Sequence, residues 1–443
     1  MVRGGGAGAG PGATGVSVED AAVRELAALS GRAVPLLREW VDEFPRLGVA
    51  RALLVLATGG GLGDEVLREE LVVAYRDARD ADARSASLVY GVFLYTHRQF
   101  RLTADHLVAH FAQWPGDEVA SLLLDAFHAC GEPDYRAHGD ALAERQHALV
   151  GADSWPWTGR LAWTRAEQGR AEEAFDLAAQ ALDRFPRAGL AAHARAHAEQ
   201  DLGSGPAAVA FLDRWLAEDP RAVQFKHLNW HAALQSLACG DFPDARRRAD
   251  EVLGRADVGM RSATNWRLLL AGQEPAGRCD LDHVRALLAG QGGMAEVFHT
   301  FNLALALAVE SATDDLEALA RLAADDERPD YREVLAPVVR ALAHVTAGRS
   351  PAAVDLLTRL GGQVERIGGV RVEREIVQDT LARALVDTGE HARAAALLHE
   401  RLTTRRHRTY EDLLLAPPAA PARAPRTPVA ASLPGVLPCP RPS

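Results

Sequence analysis

Apolar residues recur about every three to four positions through almost the whole chain, in blocks bounded by glycine, proline or aspartate. That spacing lays one apolar stripe along a helix, so the sequence predicts helices nearly throughout. Strict apolar–polar alternation, the mark of a half-buried strand, is almost missing. Five helix-turn junctions in the middle repeat at near-constant spacing. They read His97-Arg98-Gln99-Phe100, Cys130-Gly131-Glu132, Gln168-Gly169-Arg170, Leu202-Gly203-Ser204 and Cys239-Gly240-Asp241. Between Arg98, Gly131, Gly169, Gly203 and Gly240 the steps are 33, 38, 34 and 37 residues.

A period of about 34 residues is that of a tetratricopeptide-type helical hairpin. Such a hairpin cannot bury its apolar face alone, so copies stack around a continuous core. The clearest copy runs from Trp157 to Pro186, with Gly169 at the turn and Ala174, Ala178, Ala181 and Leu182 on the second helix. Small alanines let the two helices approach, and Pro186 cannot continue the second one. Gly203, Ala208 and Pro220 repeat the offsets; Gly240 with Ala245, Gly348 with Ala353 and Gly389 with Ala394 extend the series. Residues 18–80 and about 255–340 read as helical but outside a firm register. The predicted fold is all-α, an α-α superhelix over residues 17–415. A Gly-rich flexible leader (1–16) and a Pro/Ala-rich disordered tail (416–443) flank it.

Composition narrows the function. A formal net charge of −11 argues against wrapping a phosphate backbone, so nucleic acid is not an expected partner. Lys226 is the only lysine, and no Gly-Lys-Ser/Thr loop is present for a nucleotide. Cys130, Cys239, Cys279 and Cys439 form no Cys-x-x-Cys pair. Cys130 and Cys239 each precede a junction glycine, where a small buried apolar residue is expected. No apolar run reaches the length of a membrane span, and the leader has no apolar segment of a signal peptide. A cytoplasmic, reduced protein without a membrane partner is the expectation.

In stacked hairpins the first helix of each unit faces the concave side. Counting back from the turn glycine, positions near −13, −10, −9, −6 and −3 share one stripe. Before Gly203 the stripe carries His193, His197 and Gln200; before Gly240, His227, Trp230, His231 and Leu237. Before Gly131 it carries Ser121, Asp125 and His128; before Gly169, Arg160 and Trp163. The expected ligand site is therefore Asp125, His128, Arg160, Trp163, His193, His197, His227, Trp230 and His231. His193/His197 and His227/His231 are i,i+4 pairs, the spacing at which two imidazoles on one helix share a ligand. Two such pairs on neighbouring helices have the chemistry for a transition metal or for a general acid and base.

Other segments carry less. Gly59-Gly60-Gly61-Leu62-Gly63 precedes a helix with no strand leading in, so it reads as a turn. Asp77, Asp80 and Asp82 read as loop residues without the glycine and closing glutamate of a calcium loop. Arg405, Arg406 and Arg408 with His407 read as a solvated helix face or a docking patch.

His227-Leu228-Asn229-Trp230-His231-Ala232-Ala233-Leu234 and His193-Ala194-Arg195-Ala196-His197 resemble signature segments of the tetratricopeptide repeat protein 38 family. Gly240-Asp241-Phe242 with Ala245, and Ile367-Gly368-Gly369 followed by Arg374, add to the resemblance, which spreads over about residues 35–414. Asp125 matches a family acid. The chain departs from the family pattern at Ala198-Glu199-Gln200 and at Asn302, where the family carries further histidines. The resemblance implies a tetratricopeptide-like superhelix and no particular reaction.

The expected function is that of a helical-repeat binding protein taking a protein, a peptide or a small ligand in a His/Trp-rich concave groove. A carboxylate-bearing guest would meet Arg160 and protonated histidines there. The alternative is an enzyme of small-molecule metabolism using the same histidines. No cofactor is required, and a transition metal on His193, His197, His227 and His231 is the one candidate. A groove closed into a cavity favours the enzyme; an open trough favours a peptide.

Overall fold

A computed structural model of the chain describes residues 17–59, 62–254, 257–290 and 293–417. The leader 1–16, most of the tail and the middle of the Gly59–Gly63 segment lie outside the described residues. Within them the fold is an all-α superhelix of antiparallel hairpins. The hairpin of the clearest repeat pairs helix Trp155–Glu167 with helix Ala171–Arg184, and the next pairs Gly189–Leu202 with Pro206–Glu218.

The first helices end in one recurring device. A residue in the left-handed region stops the helix, and the next amide bonds back to a carbonyl five residues earlier. Ser30, Gln99, Arg170, Ser204, Asp241, Gln273, Ala312, Arg349 and Glu390 all donate such a bond. The left-handed residue before each is Leu29, Arg98, Gly169, Gly203, Gly240, Gly272, Ser311, Gly348 or Gly389. The expected junctions are thus in place, and the expectation of irregularity at the front is corrected. The front begins with a hairpin around Leu29, whereas the 255–340 segment is irregular as expected: helix Val258–Leu270 ends in the same device at Gly272 but packs on helix Val297–Val309 rather than on the next helix, and a π-helical turn spans Tyr331–Leu335. The unit before Gly131 is the uneven one: a 3-10 turn, Ala120–Leu123, precedes a short helix, Asp125–Ala129.

Two further expectations are corrected. Asp77 and Asp80 belong to helix Asp64–Ala81, and Asp82 caps helix Ala83–Thr96, its carboxylate accepting from the Ser85 amide at 2.8 Å. Alternating Ala, Arg and Asp disguised a charged helix face as a loop. Arg405 is buried rather than solvated. It donates to Glu411 at 2.5 Å and to Glu375 at 2.8 Å, and Arg401 donates to Asp379 at 2.7 Å. Cys130 and Cys239 are half-buried.

The core is uneven, and this positions the site. Large side chains pack the front, from Leu26 and Trp40 to Trp157, and the back, from Trp230 to Leu414. Between them lies a smaller cluster with Leu212, Trp215, Leu216 and Leu228, and layers built largely on alanine, such as Ala162, Ala178 and Ala194, or Ala166, Ala174 and Ala198. Alanine contacts bring helices close but bury little area, so these layers gain less from the hydrophobic effect than their neighbours. Both ends of the chain fold onto this middle. The Gly189 amide donates to the Ala28 carbonyl and the Val223 amide to the Leu29 carbonyl, each at 2.9 Å. From the other side, the Arg406 and His407 amides donate to the Leu202 and Gly203 carbonyls at 3.2 and 3.1 Å. Arg371, at the start of helix Arg371–Asp387, pairs with Asp201. Two exposed pairs also bridge distant segments: Arg98 meets Glu296 at 2.5 Å and Arg136 meets Glu365 at 3.3 Å.

Candidate functional site

Helices Gly189–Leu202 and Phe225–Cys239 lie side by side and turn their histidine pairs toward each other. His193, His197, His227 and His231 each offer a ring nitrogen, and these nitrogens all lie within 4.8 Å of one another. Nε2 of His193 is 3.1 Å from Nε2 of His197, and Nε2 of His227 is 3.2 Å from Nε2 of His231. His231 is 0% exposed, His197 4% and His193 7%; His227 keeps an open edge. Trp163 packs on His193 and His197, with ring centroids 4.5 and 4.7 Å away, and Trp230 lies against His231 at 5.1 Å.

The outer ring nitrogens set the tautomers. Nδ1 of His197 is 3.4 Å from the Glu167 carboxylate, which in a neutral ring keeps the proton on Nδ1. Nδ1 of His193 is 3.2 Å from the Gln224 side-chain nitrogen, while the Gln224 oxygen is buried without a partner. The opposite amide orientation satisfies both, with the oxygen accepting from Nδ1–H. Each Nε2 then carries a lone pair, and the lone pairs of His193 and His197 face each other. A cation between them is what such an arrangement suits. Two nitrogens bound to one ion at zinc–imidazole distances stand about 3.3 Å apart, close to both observed separations.

The electrostatics agree with neutral rings. Burial first, then the neighbouring imidazoles, holds His193 and His231 well below the ordinary histidine range. Burial and then His197 bring His227 down to about 3. Burial pushes the Glu167 carboxyl up, but its contact with His197 outweighs this and brings it to about 2. The expected protonated histidines are corrected for three of the rings: His193, His227 and His231 do not meet a carboxylate guest as cations at neutral pH. Arg160 is also committed, donating to Asp125 at 2.6 Å and to the Ser121 carbonyl at 3.1 Å.

The predicted residues divide. His193, His197, His227, His231, Trp163 and Trp230 come together. Arg160 lies near enough for its charge to oppose protonation of His193 and is paired with Asp125, which touches no imidazole of the cluster. His128 is elsewhere, 3.6 Å from Asp140 on the wall of another cavity. Sequence reasoning missed Glu167 and Gln224. Glu167 sits one position off the concave stripe, and Gln224 precedes its helix, so neither shares the periodicity that found the histidines.

A chamber of about 520 Å³ opens onto the cluster through His227 and Trp230. Lys226, the only lysine, lines it with Asp257, Met260, Phe298, His299 and Glu373. Burial pushes the Glu373 carboxyl up to about 7. Asn302 also lines the chamber, its side-chain nitrogen donating to the Phe298 carbonyl at 3.0 Å.

No protein-family model matches the chain, and no curated protein matches it. Among solved structures it is similar to the structure of Naa15/Naa10 bound to HypK-THB, at 12% identity and a TM-score of 0.19, over 86% of this chain and 67% of that one.

Proposed function

We propose that this chain is a helical-repeat binding protein whose cargo is a transition-metal ion, held in the concave interior by His193, His197, His227 and His231. One observation carries the reading: four imidazole nitrogens from two adjacent helices converge within 4.8 Å. Neutral imidazole is a ligand for zinc, copper, nickel and iron. Glu167 and Gln224 would act as the outer partners that fix ring orientation and raise ligand basicity. The ion would supply Lewis-acid or redox chemistry when bound. The burial of these imidazoles favours a small guest over an extended peptide.

The chamber beside His227 supports a second reading, an enzyme acting on a small molecule. Glu373, with its proton affinity near neutrality, would hold or release a proton there. We also propose kinship with the tetratricopeptide repeat protein 38 family, because the segments that carry the resemblance are those that supply the cluster.

Metal analysis tests the reading. The purified chain, titrated separately with zinc, copper, nickel and ferrous iron, is expected to bind one of them saturably at one ion per chain. The double variant His193→Ala/His231→Ala is expected to lose that binding while keeping its helical circular dichroism. Absence of saturable binding for all four metals, or equal binding by the folded double variant, sinks the proposal.

A further inference from the structure

A second cavity, about 1000 Å³, lies on the far side of Glu167 and is lined in part by His128, Arg136, Arg170, Arg371 and Arg374. Most of its cations are matched. Arg136 donates to the Glu365 carboxylate at 3.3 Å and to its carbonyl at 2.9 Å. Arg371 pairs with Asp201, and Arg170 with Glu173. Arg401 and Arg405 are held by Glu375.

Arg374 differs. Among the described residues no carboxylate oxygen lies within 4.0 Å of its guanidinium. Its one hydrogen bond goes to the Gly369 carbonyl. The loop before it is shaped to deliver that carbonyl: Gly368 and Gly369 have φ of +87° and +68°. A Cβ on Gly369 would come within 2.5 Å of the Phe298 ring and 2.7 Å of the Glu373 carboxylate. The loop therefore folds tightly, and successive residues serve opposite cavities: Glu373 the chamber beside the histidines, Arg374 the larger cavity. A guanidinium has five N–H donors in a planar fork that matches an oxyanion. Most of this fork faces the cavity unused. Leaving a half-buried cation without a counter-ion is costly, and a bound anion removes that cost.

We propose that Arg374, flanked by Arg136 and Arg371, anchors a binding site for the carboxylate or phosphate group of a small anionic molecule. Burial and then the nearby Arg136 charge lower the proton affinity of Arg374 more than the carboxylates of Glu167, Glu365 and Glu373, none in direct contact, raise it, which agrees with a cation lacking a direct partner. The proposal does not rest on the imidazole cluster.

Isothermal titration of the full chain with inorganic phosphate, and separately with succinate, tests it. Saturable one-to-one binding of at least one anion is expected, and which arm responds identifies the group. Arg374→Gln is expected to weaken that binding about tenfold or more, as for loss of a charge-assisted pair. Arg170→Gln, at the rim, is expected to leave it unchanged. Because Arg374→Gln removes an uncompensated charge, its thermal midpoint is expected to match or exceed that of the natural chain. Failure of both anions to bind saturably, equal affinity in Arg374→Gln, or a lowered midpoint in that variant overturns the proposal.

Discussion

At the scale of single residues, His193, His227 and His231 trade stability for ligand readiness. A buried neutral imidazole resists protonation, whereas the same side chain in the unfolded chain takes a proton near pH 6.5. Below that pH the unfolded state binds more protons than the folded one, so stability rises with pH and is lost as pH falls. For His227 the window runs from about 6.5 down to about 3, and His193 and His231 act in the same direction. Each group still unprotonated in the fold costs about 1.4 kcal/mol per pH unit below 6.5. Metal-free protein is therefore expected to lose urea resistance steeply between pH 7.5 and 5, and His231→Gln is expected to flatten the slope. An unchanged midpoint over that range would contradict the neutral-ring assignment. Glu167 makes a second prediction. Glu167→Gln removes the carboxylate behind His197 but leaves all four ligands, so metal affinity is expected to fall about 10- to 100-fold without being abolished. Competition with a chelator of known affinity measures it. The imidazoles were legible because helical phase carries them; Glu167 and Gln224 were not, because an outer partner can come from any neighbouring element.

At the scale of the element, the hairpin is defined by its left-handed stop. Where that residue is glycine the sequence announces the turn, as at Gly169, Gly203, Gly240, Gly348 and Gly389. Leu29 and Ser311 occupy the same conformation at φ of 56° and 55°, and their side chains hid two repeats from the sequence. An L-residue there costs roughly 1–2 kcal/mol, and glycine costs about 0.5–1 kcal/mol more to order. Ser311→Gly is thus expected to stabilise the chain by roughly 0.5–1 kcal/mol in urea titrations. The reverse changes separate conformation from contact. Around Gly169 an added Cβ meets nothing within 4 Å, whereas at Gly203 it falls 2.6 Å from the Arg406 nitrogen and 2.8 Å from Arg405 Cα. Gly169→Ala is expected to lose roughly 0.5–1 kcal/mol, the left-handed cost less the ordering entropy that alanine saves. Gly203→Ala is expected to lose more, because it also lifts the C-terminal segment off the helix end. Equal losses would mean that this contact contributes nothing.

At the scale of the whole molecule, an ideal solenoid is held by neighbours only, so its stability is a sum along the chain. This chain adds contacts between residues far apart in sequence, and no spacing pattern in a sequence marks them. The most consequential is the buried charge network that joins Arg401 and Arg405 to Glu375, Asp379 and Glu411. Glu375 belongs to the helix whose first turn carries Arg371 and Glu373, and whose preceding residue Val370 packs against the cluster of Ala162, Trp163, Ala178 and Ala194 beside the imidazoles. The alanine-built layers beside the imidazoles have little hydrophobic reserve of their own, so the network that holds this helix in place also steadies Val370 on them. Breaking one partner of a buried network leaves charge without compensation and typically costs about 3–5 kcal/mol. Arg405→Ala, which leaves Glu411 with only Arg401 at 3.8 Å and removes one of the two arginines on Glu375, is expected to lose stability on that scale. If this network governs access, the same variant, loaded with metal and kept under conditions where it stays folded, gives up its ion to a chelator faster than the natural chain, while equilibrium affinity falls less than the release rate rises. Stopped-flow release beside equilibrium titration separates the two. Matched release rates in a folded Arg405→Ala protein would mean that the ion leaves through the chamber at His227 without any movement of the helix that carries Glu375.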